Sequence, residues 1–177
     1  MSPEWIGFIK NTIARVACNF TTNRMLTDYC NQYYIPQAER SARINADDYA
    51  KAREIALWKK EVRRGWDNLS VVSYTQPAAS YSLSPDNELK AEVVLNLGDL
   101  KPEDIGVEML FTTSDRKGRL HLNSLFEFSL VDFNDGVATF QASILPEVTG
   151  LYQVATRVYP KHVGLPHRQD FPLVKWL

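Results

Sequence analysis

His162 and His167, with four residues between them, fall in a stretch from Tyr159 to Pro172 that also carries proline and glycine. Two imidazoles so placed are the start of a metal site, but zinc asks for further ligands. Only His121 and Asp170 offer to complete the set, so the pair reads as polar loop residues. The run Lys59-Lys60-Glu61-Val62-Arg63-Arg64 could meet phosphate. The same cations complement the negative end of a helix dipole, which accounts for them without a ligand. Glu103 and Asp104 are adjacent carboxylates in a turn, whereas glycoside hydrolysis needs two carboxylates facing each other across a cleft. No Gly-x-Ser-x-Gly elbow and no glycine-rich phosphate loop occur; Gly106, Gly118 and Gly136 stand singly. Cys18 and Cys30 have neither zinc nor redox spacing. The residues by themselves spell no recognisable active site.

The elements that would carry these residues change character midway along the chain. From Asp47 to Leu69, the apolar residues Tyr49, Ala52, Ile55, Trp58, Val62 and Trp66 recur at helical spacing. Asn45 with Asp48 suggests a capping box, and Gly65 loosens the helix near its end. Before it, Ser2 and Pro3 open a helix whose face is Ile6, Ile9, Ile13 and Val16, broadened by Trp5 and Phe8. A helix that begins this abruptly is expected of a piece cut from something larger. Asn19 ends it, Thr21 or Thr22 caps the next, and Met25, Leu26, Tyr29, Tyr33 and Tyr34 form an aromatic-rich face read as packing. Gln37 to Ile44 is a short polar, helical piece.

Past Trp66 the period falls to two. Leu69 to Thr75 reads as a strand and Gln76 to Asn87 as a loop. Leu89 to Leu97 and Ile105 to Phe111 alternate as half-buried strands, with turns at Lys101–Asp104 and Asp115–Gly118. Phe126, Phe128 and Leu130 share one face; Asn134-Asp135-Gly136 signals a tight hairpin, and Ala138, Phe140, Ala142 and Ile144 line its return strand. Tyr152 to Val158 follows, then an edge strand from Phe171 to Trp176; Thr149-Gly150-Leu151-Tyr152 has the look of a tyrosine corner. The predicted fold is α+β: three or four N-terminal helices over residues 1–68, then an antiparallel β-sandwich of immunoglobulin or fibronectin type over 69–177.

Twenty basic and twenty-one acidic side chains leave a net charge of −1, which argues against nucleic acid or an anionic membrane as partner. No apolar run approaches the roughly 20 residues of a membrane span, and no signal peptide is evident. Reduced cysteines and a cytoplasmic setting are expected.

Two segments together resemble a known family. Trp5-Ile6-Gly7-Phe8-Ile9-Lys10-Asn11-Thr12-Ile13, then Phe20-Thr21-Thr22-Asn23-Arg24-Met25-Leu26 and Tyr29, resemble the C-terminal helices of α-glucan (glycogen) phosphorylases. Leu97-Gly98-Asp99-Leu100-Lys101-Pro102-Glu103-Asp104-Ile105, Val107-Glu108, Thr149-Gly150-Leu151-Tyr152, Arg157-Val158, Pro160 and His162 resemble the β-rich tail of the long prokaryotic members, and Trp58 and Trp66 suit that subgroup. The resemblance covers nearly the whole chain. It implies a non-catalytic piece of a pyridoxal-phosphate glycosyltransferase whose parent cleaves α-1,4-glucan with phosphate to glucose 1-phosphate. The family's cofactor-bearing lysine lies in an upstream Gly-Asn-rich motif absent here, so Lys10, Lys51 and Lys175 inherit no such role. No catalytic, cofactor-binding or metal residue is carried over. By resemblance, Trp5, Phe8, Phe20, Arg24 and Tyr29 would dock onto the rest of the phosphorylase polypeptide, with α-glucan a further possible partner. Two other readings stay open: a stand-alone carbohydrate-binding or interaction sandwich, which exposed aromatics such as Tyr74, Tyr81 or Trp176 would support, and a helical dimerisation element using the Trp5–Tyr34 faces.

Overall fold

The computed structural model describes residues 2–75, 80–83, 88–145 and 150–177, with the backbone alone for 80–83. The fold is α+β, helices followed by two antiparallel sheets. It divides into two compact units, Met1–Ile55 and Ala56–Leu177.

In the first unit, Ser2 caps α1 (Pro3–Asn11) by accepting from the Trp5 amide at 3.2 Å, with Pro3 supplying the fixed φ of a first turn. The helix continues as a wider π-type coil over Thr12–Ala17. Asn19 donates its side-chain amide to the Arg15 carbonyl, and Thr21 caps α2 (Thr22–Tyr29) through the Arg24 amide. A second wide turn, Cys30–Tyr34, leads into α3 (Ile35–Gly65). The capping box expected at Asn45 and Asp48 is not formed. Ala46 is extended and Asp47, Asp48 and Tyr49 take φ of 51°, 51° and 62°, so α3 is two helices across a kink. Asn45 reaches back to Ser41 Oγ. The kink is invisible to periodicity because strong helix formers flank it on both sides, and the short side chain of aspartate tolerates the left-handed region better than most. Tyr49, expected on the buried face, is exposed.

The second unit begins with the last turns of α3. Trp58, Val62 and Trp66 are buried, as their spacing requires. Gly65 is buried rather than loosening the helix: a Cβ there would come within 2.7 Å of Leu100 Cδ2, so the backbone approaches where a side chain cannot.

The first sheet runs β1 (Ser70–Thr75), β3 (Leu89–Asn96), β7 (Val137–Ile144), β6 (Ser129–Asn134). The second runs β2 (Ser80–Leu83), β8 (Gly150–Pro160), β4 (Ile105–Ser114), β5 (Leu120–Glu127), with β9 (Lys175–Trp176) also on β8. The first order matches strands A-B-E-D of an immunoglobulin sandwich, and β4, β8 and β9 take the places of C, F and G. Both sheets contribute to one core, from Val93, Leu95, Ala138 and Phe140 on one side and Val107, Met109, Phe111 and Val158 on the other.

The predicted hairpin forms, Asp135 and Gly136 both taking positive φ, at 47° and 78°, between Asn134 and its partner Val137. Four expectations need correction. Ser80–Leu83 is a strand on β8, inside the segment read as a loop; the rest of that segment lies outside the described residues. Phe126, Phe128 and Leu130 do not share a strand, because the chain changes sheets at Phe128, whose amide donates to Val107 O at 2.8 Å. The edge strand from Phe171 shrinks to β9, since Pro172 lacks a donor and a 3₁₀ turn occupies Arg168–Asp170. Ile105–Phe111 is buried on both faces rather than alternating. Thr149 of the tyrosine corner lies outside the described residues; Tyr152 itself is buried, its ring edge-on to Phe111 at 6.1 Å.

Candidate docking surface and a buried charge cluster

None of the described residues of the helical unit is buried. Trp5, Phe8 and Ile9 point outward from α1 and, with Thr12 and Ile13, line an open groove of about 390 Å³. Phe20 is 74% exposed, with the Arg24 guanidinium 5.4 Å from its ring centre. Arg24 also pairs with Asp28 at 3.2 Å, one turn on. Tyr29 gathers Tyr33 and Tyr34 at 6.1 and 6.4 Å. The five residues named by resemblance are thus all solvent-facing. Nothing in their geometry does chemistry: they offer apolar area, ring faces and one cation.

The β unit holds the arrangement that sequence reasoning missed. On β4, side chains at Ile105, Val107, Met109 and Phe111 enter the core, so Gly106, Glu108 and Leu110 face out. Glu108 is nonetheless fully buried. Its Oε1 accepts from Arg157 Nε on the adjacent β8 at 2.6 Å and from Arg168 Nη1 in the loop beyond. Its Oε2 has no hydrogen-bond partner among the described residues. Arg168 also lies 4.4 Å over the Tyr159 ring, and Tyr159 in turn covers Gly106, where a Cβ would stand 2.4 Å from the ring. The Tyr159 hydroxyl donates to Glu127 Oε1 at 2.9 Å, which also takes Lys161 at 2.7 Å. Burial, reinforced by that carboxylate, pushes the Tyr159 phenol well above its ordinary value, while Lys161 holds Glu127 below its own. Glycine opposite tyrosine on the neighbouring strand, Gly106 against Tyr159, is the signal that could have revealed a covered face.

A second polar contact ties helix to sheet. Trp58 Nε1 donates to Asp104 Oδ1 at 2.7 Å, and the His162 ring lies 4.6 Å from the Trp58 ring. Burial raises the Asp104 pKa against the opposing pull of that bond. Lys59 donates to the Asp170 carbonyl, and Lys59 and Arg63 sit over Phe171, so this part of the basic run is structural. His162 and His167 do not converge with His121, which pairs with Asp115 instead; no metal-binding group of three is present among the described residues. Of the aromatics that a sugar platform would need, Tyr74 turns inward and bonds Thr156 at 2.5 Å, Trp176 is exposed beneath Arg157, and the Tyr81 side chain lies outside the described residues.

Lys10 is exposed on α1, Lys51 is held by Glu54, and Lys175 donates to the Leu69 carbonyl. No helix among the described residues is long and apolar enough to cross a membrane.

Comparison of the sequence with known proteins identifies its relatives. The chain is 26% identical to a maltodextrin phosphorylase of Thermococcus litoralis over 98% of its own length and 20% of that protein. It is 21% identical to a glycogen phosphorylase of Mycobacterium tuberculosis over 97% of its length, again 20% of the relative. The chain thus spans about a fifth of the length of these curated relatives. A family described as the glycogen phosphorylase C-terminal domain matches residues 66–177, the sandwich and its final helical turn. By that match, the chain belongs to the glycogen phosphorylase C-terminal domain family.

Proposed function

We propose that this chain is the non-catalytic C-terminal portion of an α-glucan phosphorylase. Its helices complete and brace the catalytic core, and the sandwich serves as an accessory domain. One observation carries the reading: a helical unit that exposes most of its large apolar side chains and buries none of its described residues, in a chain aligned from end to end with one fifth of a phosphorylase. Such surfaces are normally covered in a finished molecule. Trp5, Phe8, Phe20, Arg24 and Tyr29 are the docking residues, and the partner is the remaining phosphorylase polypeptide.

The parent reaction is phosphorolysis of α-1,4-glucan to glucose 1-phosphate, in the cytoplasm. Pyridoxal phosphate and the reacting groups belong to the remaining polypeptide. The test is a chimera of the Thermococcus litoralis enzyme in which this chain replaces the matching fifth. The chimera is expected to release glucose 1-phosphate from maltooligosaccharide and to lose that activity with Trp5→Asp and Phe8→Asp. The chain alone is expected to release none. Turnover by the chain alone, or a chimera indifferent to both substitutions, would contradict the reading.

A further inference from the structure

Beside the Glu108 cluster lies an open cavity of about 580 Å³, a volume suited to a small molecule. Arg157, Lys161, His167 and Arg168 supply its polar wall, and Leu125 and Leu165 part of its apolar one. The two arginines are not loose surface cations. Each commits one nitrogen to the same fully buried carboxylate oxygen, and Arg168 is further fixed over the Tyr159 ring. A guanidinium has five N–H donors, so each keeps most of them for another acceptor. Glu108 is sealed from solvent, so an incoming group meets N–H donors rather than the carboxylate. Arg157, Lys161 and Arg168 stand against Glu108 and Glu127, leaving the wall net positive before His167 is counted.

Planar donors held in place by a carboxylate behind them suit an oxyanion with several equivalent oxygens. A carboxylate ligand would use one fork; a phosphate can use both, with Lys161 and His167 at the rim. We infer that this cavity is a binding site for a phosphate group, either inorganic phosphate or a small phosphate ester whose body lies against Leu125 and Leu165. All the residues that line the site belong to the β unit. The site's existence does not depend on the parent enzyme assigned above.

The test is a titration of the 177-residue chain, followed by amide NMR at low ionic strength, with orthophosphate, glucose 1-phosphate and uncharged glucose as probes. Saturable shifts are expected at Lys161, His167, Arg168 and Gln169 with both phosphates and not with glucose. Equal affinity for the two phosphates makes the site one for the bare anion; tighter binding of the ester makes it one for the ester. Arg168→Lys keeps the charge and loses the fork, and is expected to weaken binding about tenfold. His167→Gln touches neither Glu108 nor Glu127, and its expected several-fold loss serves if Arg168→Lys fails to fold. No saturation by about 10 mM phosphate, which corresponds to binding too weak to matter, would overturn the inference. So would shifts of equal size at Arg116–Arg119 and Lys59–Arg64, which would show bare charge alone, or glucose binding as tightly as its phosphate.

Discussion

Residues 2–55 and residues 56–177 treat their apolar side chains in opposite ways. The helical unit carries Trp5, Phe8, Ile13, Phe20 and Tyr34 on its surface and buries none of its described residues. The β unit closes Val93, Leu95, Val107, Met109 and Val158 off completely and even buries a carboxylate on the outside of a sheet. A chain whose two parts have ordinary composition overall can therefore contain one region that makes its own core and another whose apolar surface faces outward. The difference shows that helical periodicity predicts an apolar face and leaves open what covers it.

The comparison breaks first, and with the largest effect, if the wrong cut is harmless. A chain beginning at Ala56 keeps the β core and is expected to unfold in urea at the same midpoint as the whole. One beginning at Trp66 loses Trp58 and Val62, two core side chains, at a cost of about 5 kcal/mol or more. That is enough to unfold a marginally stable domain. Next, Arg157→Met leaves Glu108 buried with one cation fewer, and a loss of about 3–5 kcal/mol in the same assay is expected.

Trp58→Phe keeps most of the packing and removes the donor to Asp104, for about 1–2 kcal/mol. Asp104 adds a pH signature. Burial holds its folded pKa above the ordinary carboxylate value, so the folded state holds the proton more tightly than the unfolded one. Stability then falls as pH rises from about the unfolded value through the raised folded one. Asp104→Asn keeps an acceptor for Trp58 and is expected to flatten that fall in a stability–pH profile.

Asp48→Gly relieves a left-handed aspartate and is expected to raise the helical unit's thermal midpoint, worth about 1 kcal/mol. Smallest of all, Trp5→Ala should move the stability of the chain by no more than about 0.5 kcal/mol, because the side chain is already in water.

Much of the fold is legible where local chemistry is strict. Asp135-Gly136 supplies the two positive φ values of a tight hairpin, and the Ala138–Ile144 alternation puts each residue on the side it occupies. Elsewhere the signal is absent or misleading. A strand that changes sheets at Phe128 breaks the parity that periodicity assumes. The left-handed turn at Asp47–Tyr49 lies within a helix-forming sequence. Glu108 occupies an outward strand position, where a glutamate ordinarily meets solvent; Arg157 of β8 and Arg168 of the distant loop cover it. The proposed docking residues stand out only through family resemblance, since exposed tryptophan and phenylalanine on a helix look the same as core residues until the packing is seen.

The most direct test of the division is native-state hydrogen exchange on the whole 177-residue chain, resolved by residue. Amides of β3, β4, β7 and β8 are expected to exchange only through global unfolding. Those of α1 and α2 should exchange orders of magnitude faster, because no buried side chain holds them. Equal protection in α1, α2 and the central strands would contradict the account.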